Sequence, residues 1–182
     1  MSARHVHLCE KDLEILFGEN YKLKKECNLS QHGQYKAKEK VIIKNNDNTI
    51  ENVSVLGPLR EKTQIEISKT DAYKLKLNPP VRNSNDLKNS SPITIIGTKG
   101  KIMKNEGCII ATRHIHISKK EALKYNLDDS IVSVKVSGEK KGIMENVYIK
   151  KDDSYTFEMH IDLDDANAHL IKTGDFVEII KN

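Results

Sequence analysis

An internal repeat constrains the fold of this 182-residue chain more than any other feature of its sequence. The motif RHVHL at residues 4–8 returns as RHIHI at residues 113–117, and a short helical pattern follows each copy. Further along, Glu-Asn-Val at residues 51–53 returns at residues 145–147, an offset of 94 residues. Because a repeated pattern reflects a repeated structural unit, we expect two small domains of the same design.

The first half of the repeat is longer than the second half. The His-x-His motifs are offset by 109 residues and the Glu-Asn-Val motifs by 94, so the first half carries 15 additional residues. We place these residues within 18–38, a polar stretch containing Gly and Lys that predicts an inserted loop or small hairpin. The predicted domains are therefore residues 1–111, with the insert around 18–38, and residues 112–182.

Apolar residues that alternate with polar ones indicate that most of the chain is β-strand. Aromatic residues make up only 5% of the sequence, so the core depends on Ile, Val and Leu, which favour sheets. The sequence thus predicts a mainly β fold of two small β-barrel domains with short capping α-helices, related by the internal repeat. Strands are predicted at 4–8, 40–44, 50–56, 63–68, 93–97, 108–117, 131–136, 143–150, 155–161 and 175–180. Helices are predicted at 9–17, 70–75, 118–125 and 164–170, and Ser118 with Glu121 resembles a capping box.

Charge and cysteine content exclude several classes of protein. Thirty basic residues are mixed with 26 acidic ones along the chain, and no basic stripe indicates a nucleic-acid binder. Three widely spaced cysteines, Cys9, Cys27 and Cys108, argue against a disulfide framework and a cysteine-based zinc site. No apolar run approaches the roughly 20 residues of a membrane span, and MSARHVHL is not a signal peptide. We therefore expect a cytoplasmic protein.

The two His-x-His motifs predict a pair of metal sites. Successive side chains of a strand point to opposite faces, so the two histidines of each motif point the same way. Zinc sites that catalyse reactions usually have three protein ligands, and the repeat aligns Glu66 with His160 as the third ligand of each pair. The predicted metal ligands are His5, His7 and Glu66 in the first half and His114, His116 and His160 in the second half. With imidazoles alone, the second zinc is expected to be the stronger Lewis acid.

Arg60 is the best candidate for binding an anion. No serine-nucleophile motif or phosphate-binding loop occurs in the sequence, so an anion would be held by arginine and metal. Only four of the basic residues are arginines, and Arg60 closes the segment LGPLR six residues before Glu66. The planar guanidinium group suits phosphate, which predicts that Arg60 reaches the first metal site.

Long motifs carry a family resemblance over essentially the whole chain. With RHVHL, ENVSVLGPLREKTQIEIS, NPPVRNSNDL, RHIHIS and MHIDLDDANA, the chain resembles the PduL-type phosphate propanoyltransferases, or phosphotransacylases. The resemblance implies two β-barrel domains, two zinc ions on the six residues named above, and Arg60 as the catalytic, phosphate-binding residue. It also implies that propanoyl-CoA or acetyl-CoA is the substrate, in reactions such as propanediol degradation, and it is compatible with a homodimer.

Coenzyme A contacts follow from the same resemblance. They map to Met1, Ser2, Ala3, Ser54 and Asn167. Relatives that look similar often carry a basic residue where this chain has Ser54. Relatives also carry an apolar strand before the first His-x-His motif and, in microcompartment members, a targeting extension. Since this chain starts almost at the motif, we expect that a strand completing one barrel is missing and that the enzyme is unencapsulated.

Two other functions remain open from the sequence. A zinc-dependent acyl-CoA thioesterase would use the same metals to activate water, and its CoA release would not depend on phosphate. A non-enzymatic β-barrel binding module is the other alternative, because segments such as KTGDFVEI occur in regulatory and nucleic-acid-binding barrels. Such a module would carry no stoichiometric zinc.

Overall fold

A computed structural model of the chain describes residues 1–127 and 131–180, and these residues form a mainly β protein with four short helices. The strands are β1 His5–His7, β2 Lys25–Asn28, β3 Tyr35–Asn45, β4 Asn48–Gly57, β5 Gln64–Glu66, β6 Val81–Arg82, β7 Ser91–Ile96, β8 Lys101–Ala111, β9 His114–Ile117, β10 Ile131–Val136, β11 Gly142–Lys151, β12 Glu158–His160 and β13 Glu178–Ile180. The helices are α1 Glu10–Phe17, α2 Lys69–Leu75, α3 Lys119–Lys124 and α4 Leu163–His169. None of the described helices is long and apolar enough to cross a membrane. The predicted mainly β fold is confirmed.

The chain divides into two compact units. One unit is Arg4–Ala111, and the other joins Met1–Ala3 to Thr112–Asn182. The first three residues lie with the second half because the Ser2 amide donates a 2.8 Å hydrogen bond to the carbonyl of Ile161. The domain bounds from the sequence, 1–111 and 112–182, stay a prediction, and residues 128–130, 181 and 182 lie outside the described residues.

The unit Arg4–Ala111 contains a closed barrel of six strands. The ring runs β3-β4-β1-β5-β8-β7, and β7 closes it by pairing back onto β3, with Ile42 opposite Ile96. Alternate residues of these strands fill the interior, among them the fully buried Val6, Val55 and Ile65. Strand β2 lies outside the ring and pairs with the start of β3. The barrel places β1, the strand of the first His-x-His motif, between β4 and β5.

The second unit contains a five-stranded sheet with the order β12-β9-β11-β10-β13. Over the described residues this sheet is a half-barrel, and its buried side includes Ile115, Val134 and Val147. Strand β9, next to the edge strand β12, carries the second His-x-His motif and pairs in parallel with β11 and antiparallel with β12. The second motif therefore has the same two kinds of neighbouring strand as the first.

Backbone geometry repeats along with the sequence. Asn52 and Asn146, equivalent residues of the repeat, both adopt left-handed conformations, with φ of 57° and 56°. Lys76 and Leu170, which end α2 and α4, are left-handed as well, with φ of 52° and 57°. Leucine and lysine rarely adopt this conformation, so the match shows that the same local fold was built twice.

Two details of the structure differ from the predicted elements. The predicted strand 108–117 is wrong as a single strand, because β8 ends at Ala111 and β9 begins at His114. Residues 108–111 are a continuous apolar run and residues 114–117 alternate, and no Gly or Pro separates them, so no turn signal marks where the chain passes from one sheet to the other. Strand β6 lies in a polar stretch with no apolar alternation and was not predicted, whereas β2 forms a hairpin with the start of β3 within residues 18–38, where a loop or small hairpin was predicted. The predicted helix start at Ser118 is confirmed, since its hydroxyl accepts a 3.2 Å hydrogen bond from the Glu121 amide.

Candidate metal centres

The first candidate centre is formed by His5, His7 and Glu66. Strand β5 runs antiparallel to β1 and places Glu66 directly opposite His5. Since His5 and His7 are two residues apart on one strand, all three side chains lie on the same face. Their potential ligand atoms lie within 4.8 Å of one another, and the Glu66 Oε2 atom is 3.5 Å from His5 Nε2. These residues fit one metal ion.

Electrostatics keep this group in the protonation state that a cation requires. Burial lowers the pKa of His7 to about 2, with smaller contributions from His5 and the charge of Arg60. Burial alone would raise the pKa of Glu66, but His5, His7, a hydrogen bond from Ser84 and the charge of Arg60 hold it at about 2. At neutral pH the His7 ring is therefore neutral and Glu66 is a carboxylate, as metal binding requires.

An unused atom of His7 supports the fit to a metal. His7 is 3% exposed, and its Nδ1 atom makes no hydrogen bond to any of the described residues, 1–127 and 131–180. A buried polar atom without a partner is costly in free energy unless something else satisfies it. A metal ion bound among the three side chains would satisfy it.

Three neighbouring groups hold the Glu66 carboxylate in place. Gln64 is fully buried and donates a 2.5 Å hydrogen bond from Nε2 to Glu66 Oε1. The Ser84 hydroxyl donates a second hydrogen bond of 2.8 Å to the same oxygen. Gln64 is held in turn by the Asn85 amide, which donates to its Oε1 atom at 2.7 Å. These hydrogen bonds occupy the Oε1 atom of Glu66, and the Oε2 atom faces His5.

The second candidate centre is formed by His114, His116 and His160. Strand β12 places His160 opposite His114, and the potential ligand atoms of the three histidines lie within 4.8 Å of one another. The Nδ1 atom of His114 lies 2.8 Å from the carbonyl oxygen of Thr112, so Nδ1 carries the proton and Nε2 is left for a metal. The ring of Tyr155 stacks on His116 with centroids 4.1 Å apart.

The arginine before each His-x-His motif forms an ion pair. Arg4 donates a 2.6 Å hydrogen bond to Asp71 of α2, and Arg113 donates to both carboxylate oxygens of Asp165 of α4. Each pair joins the start of a ligand strand to the helix that follows the third ligand. The two arginines therefore hold the ligand strands in position.

Arg60 lies close to the first centre. It follows β4, is half-buried, and its backbone amide donates a 2.9 Å hydrogen bond to the carbonyl of Leu8. Its positive charge contributes to lowering the pKa values of both His7 and Glu66. The structure thus brings Arg60 to the first group of ligands.

The residues expected to contact coenzyme A are divided between the two units. Met1, Ser2, Ala3 and Asn167 belong to the second unit, where Ser2 pairs with Asp162 just before α4. Ser54 belongs to β4 of the first unit and lies opposite Lys40 of β3. The Lys40 ammonium group donates a 3.0 Å hydrogen bond to the Ser54 hydroxyl, so a cation is present beside this serine.

Sequence reasoning missed four residues at or near these sites, namely Gln64, Ser84, Lys40 and Glu158. Gln64 lies two residues before Glu66, and Glu158 lies two residues before His160. Residues two apart on a strand share a face, so this spacing was a usable signal for both. Ser84 and Lys40 reach their positions through loops and strand pairing, for which the sequence holds no local signal.

Comparisons with known proteins place the chain among acyltransferases. The family model described as phosphate propanoyltransferase matches residues 1–172. A phosphate propanoyltransferase of Thermotoga maritima is 49% identical over 183 residues, which covers 100% of this chain and 87% of the relative. Proteins of the same name from Lachnoclostridium phytofermentans and Priestia megaterium are 47% and 48% identical, covering 99% and 96% of this chain and 85% and 81% of the relatives.

The comparisons and the resemblance of the motifs agree. The matches extend over nearly the whole chain and over most of each relative, so they do not rest on the His-x-His motifs alone. The chain belongs to the phosphate propanoyltransferase family, a family of phosphotransacylases.

Proposed function

We propose that this chain is a zinc-dependent phosphate acyltransferase that converts acyl-CoA and phosphate into acyl phosphate and CoA, in either direction. Propanoyl-CoA and acetyl-CoA are the proposed acyl donors. The observation that carries the proposal is the pair of three-residue ligand groups, each on one face of two neighbouring strands, in a chain of this family.

Six residues are proposed to hold two zinc ions, His5, His7 and Glu66 for one and His114, His116 and His160 for the other. Imidazole and carboxylate groups in sets of three are the ligands that catalytic zinc sites use. Zinc bound there would polarise the acyl carbonyl and stabilise the thiolate of CoA as it leaves. The neutral His7 ring and the ionised Glu66 support this assignment at neutral pH.

Arg60 is proposed to bind and orient the phosphate. In the reaction, a phosphate oxygen forms a bond to the acyl carbon, the carbon–sulfur bond breaks, and sulfur leaves with its electron pair. The guanidinium group offsets the negative charge of phosphate and aims its oxygen at the carbonyl carbon. Its influence on the pKa values of His7 and Glu66 supports a position near the first metal ligands.

Coenzyme A is proposed to contact Met1, Ser2, Ala3, Ser54 and Asn167. The lysine beside Ser54 supports this part of the proposal, because Lys40 supplies a positive charge suited to a CoA phosphate. Lys36 lies next to Lys40, and burial together with the charge of Lys36 lowers the pKa of Lys40. A bound phosphate group would offset this repulsion.

The test is an assay of CoA release from acetyl-, propanoyl- and butanoyl-CoA with and without phosphate, with zinc measured on the same sample. The Arg60→Ala variant is expected to lose phosphate-dependent CoA release and to keep two zinc ions per chain. The matched control is Lys62→Ala, which removes an exposed positive charge from the same loop and should keep the activity.

Each alternative function gives a different result in this assay. CoA release that does not depend on phosphate would identify a thioesterase instead. Absence of stoichiometric zinc and of CoA release would favour a binding module. Loss of zinc in Arg60→Ala would contradict the role given to Arg60. The cytoplasmic location and the homodimer stay predictions.

A further inference from the structure

The first candidate centre has a fourth side chain on the same face of its two ligand strands. Strand β5 places Glu66 opposite His5 and Gln64 opposite His7. Residues two apart on a strand share a face, so Gln64 points to the same side as the three ligands. We call His5, His7, Gln64 and Glu66 the first quartet. Within it, Gln64 supports the ligand Glu66 by a direct hydrogen bond.

The second centre has the same arrangement with different residues. Strand β12 places His160 opposite His114 and Glu158 opposite His116. Glu158 is therefore on the face of the three histidines, at the position that Gln64 occupies in the first unit. We call His114, His116, Glu158 and His160 the second quartet.

The two quartets exchange the position of their single carboxylate. In the first quartet the carboxylate is the ligand Glu66, and the neutral amide of Gln64 supports it. In the second quartet the ligand His160 is neutral when it binds a metal, and the carboxylate is at the supporting position, Glu158. Each quartet thus contains one negative charge, although the third ligand position differs in charge between them, Glu66 in one and His160 in the other.

Distances place the Glu158 carboxylate next to its ligand. Its Oε2 atom lies 3.4 Å from His160 Nε2, and the corresponding pair in the first quartet is Gln64 and Glu66, whose Nε2 and Oε1 atoms are 2.5 Å apart. The side chains of Glu158 and His160 are 30% and 24% exposed, so water screens their interaction only in part. A carboxylate in this position can accept the proton of Nε2, which would orient the imidazole and make Nδ1 the stronger donor to a metal.

We propose that Glu158 is a positioning residue of the second metal centre, where its carboxylate orients His160 and supplies the negative charge that three imidazoles lack. The inference rests on the proposed function, because it assumes that the three histidines hold a metal ion. It also replaces the expectation that the second zinc is the stronger Lewis acid. When Glu158 is counted, both centres have one carboxylate, and the effective charge on the two metals becomes similar.

Zinc titration of the metal-stripped full chain tests this role. The His7→Ala background removes the first centre, so that the titration reports the second centre alone. In that background Glu158→Gln is expected to weaken zinc binding by ~10–100-fold, the effect typical of a partner that orients a ligand. Glu158→Asp, which keeps the negative charge, should lose less zinc affinity than Glu158→Gln. The control Glu139→Gln removes an exposed negative charge of the same unit and should bind zinc as tightly as the background.

The outcomes separate this inference from the proposed function. If Glu158→Gln binds zinc as tightly as the background, or if Glu158→Asp loses as much affinity as Glu158→Gln, the positioning role is wrong. In the otherwise unchanged chain, His160→Ala is expected to lower zinc content from two ions to one. If two ions remain in His160→Ala, the second metal centre itself is wrong, and the failure lies with the proposed function.

Discussion

Arg113 and Asp165 are joined by two parallel hydrogen bonds, from Nε to Oδ2 at 2.8 Å and from Nη2 to Oδ1 at 2.6 Å. The repeat places the same types of residue, Arg4 and Asp71, in a 2.6 Å contact in the other unit. In each unit the pair connects the start of a ligand strand to the helix that follows the third ligand. This repeated contact shows that the arginine of each His-x-His motif has a structural task.

The paired geometry predicts that lysine cannot replace Arg113. Arg113→Lys retains the charge but loses the two-pronged contact, and we expect unfolding in urea to become easier by about 1 kcal/mol. The value is modest because Arg113 is 35% exposed and water screens the pair. The control Glu178→Gln breaks an exposed ion pair with Lys135. It should change the free energy of unfolding by less than about 0.5 kcal/mol. Equal effects of the two variants would contradict the structural task.

Replacing Gln64 by Leu is expected to disturb the first centre. The change removes the hydrogen bond from Gln64 to Glu66 and the acceptor of the Asn85 amide. We expect the free energy of unfolding to fall by about 1–3 kcal/mol. Zinc affinity of the first centre should fall by ~10–100-fold, measured by titration in a His160→Ala background. Ser84→Ala removes the other hydrogen bond to Glu66 but leaves the Asn85 amide bonded to Gln64, and it should have a smaller effect. Unchanged zinc affinity in Gln64→Leu would rule out the supporting role.

Gly97 is predicted to tolerate no side chain. A Cβ atom at this position would overlap the backbone oxygen of Leu16, at the end of α1. Because backbone cannot move aside easily, Gly97→Ala should destabilise the chain by about 1–3 kcal/mol in urea unfolding. Gly142→Ala is the matched comparison, since its Cβ would meet only the end of the His169 side chain. A smaller loss of stability in Gly97→Ala than in Gly142→Ala would contradict the close contact between Gly97 and the end of α1.

The three cysteines are predicted to differ in reactivity. Burial, with a smaller contribution from Asp71, raises the pKa of Cys108 to about 12, so at pH 8 this thiol is almost entirely protonated. Cys27 is exposed and should react first with a thiol reagent such as iodoacetamide, as mass spectrometry of digested peptides will show. Cys108 should be labelled only after unfolding in guanidinium. Rapid labelling of Cys108 in the native chain would contradict its burial.

Much of the fold was predictable because it depends on local patterns. The alternation around His5 and His7 requires only that the segment is a strand, since a strand always places residues two apart on one face. The mainly β fold, the helix start at Ser118 and the two histidine pairs were all derived in this way. Glu66 and His160 were found through the repeat, which relates residues that no local pattern connects.

The remaining features depended on strand register and on the path of the chain. Gln64 supports Glu66 only because Asn85 and Ser84 come from a loop about 20 residues away in sequence. The first three residues lie with the second unit through the hydrogen bond of Ser2, although they precede the first His-x-His motif. Side-chain partners from distant strands are determined by pairing, which has no periodic signal in the sequence.

The sequence by itself determined which residues can bind a metal and that they come in two groups of three. Only the tertiary structure decided what surrounds them, because Arg113 meets Asp165, and Glu158 lies opposite His116, through strand pairing and helix packing. A residue's type and period are local properties, whereas its neighbours across a sheet are not. The chemical difference between the two centres is therefore visible in the sequence at Glu66 and His160, whereas the proposed compensation at Glu158 rests on its 3.4 Å distance from His160, which only the fold supplies.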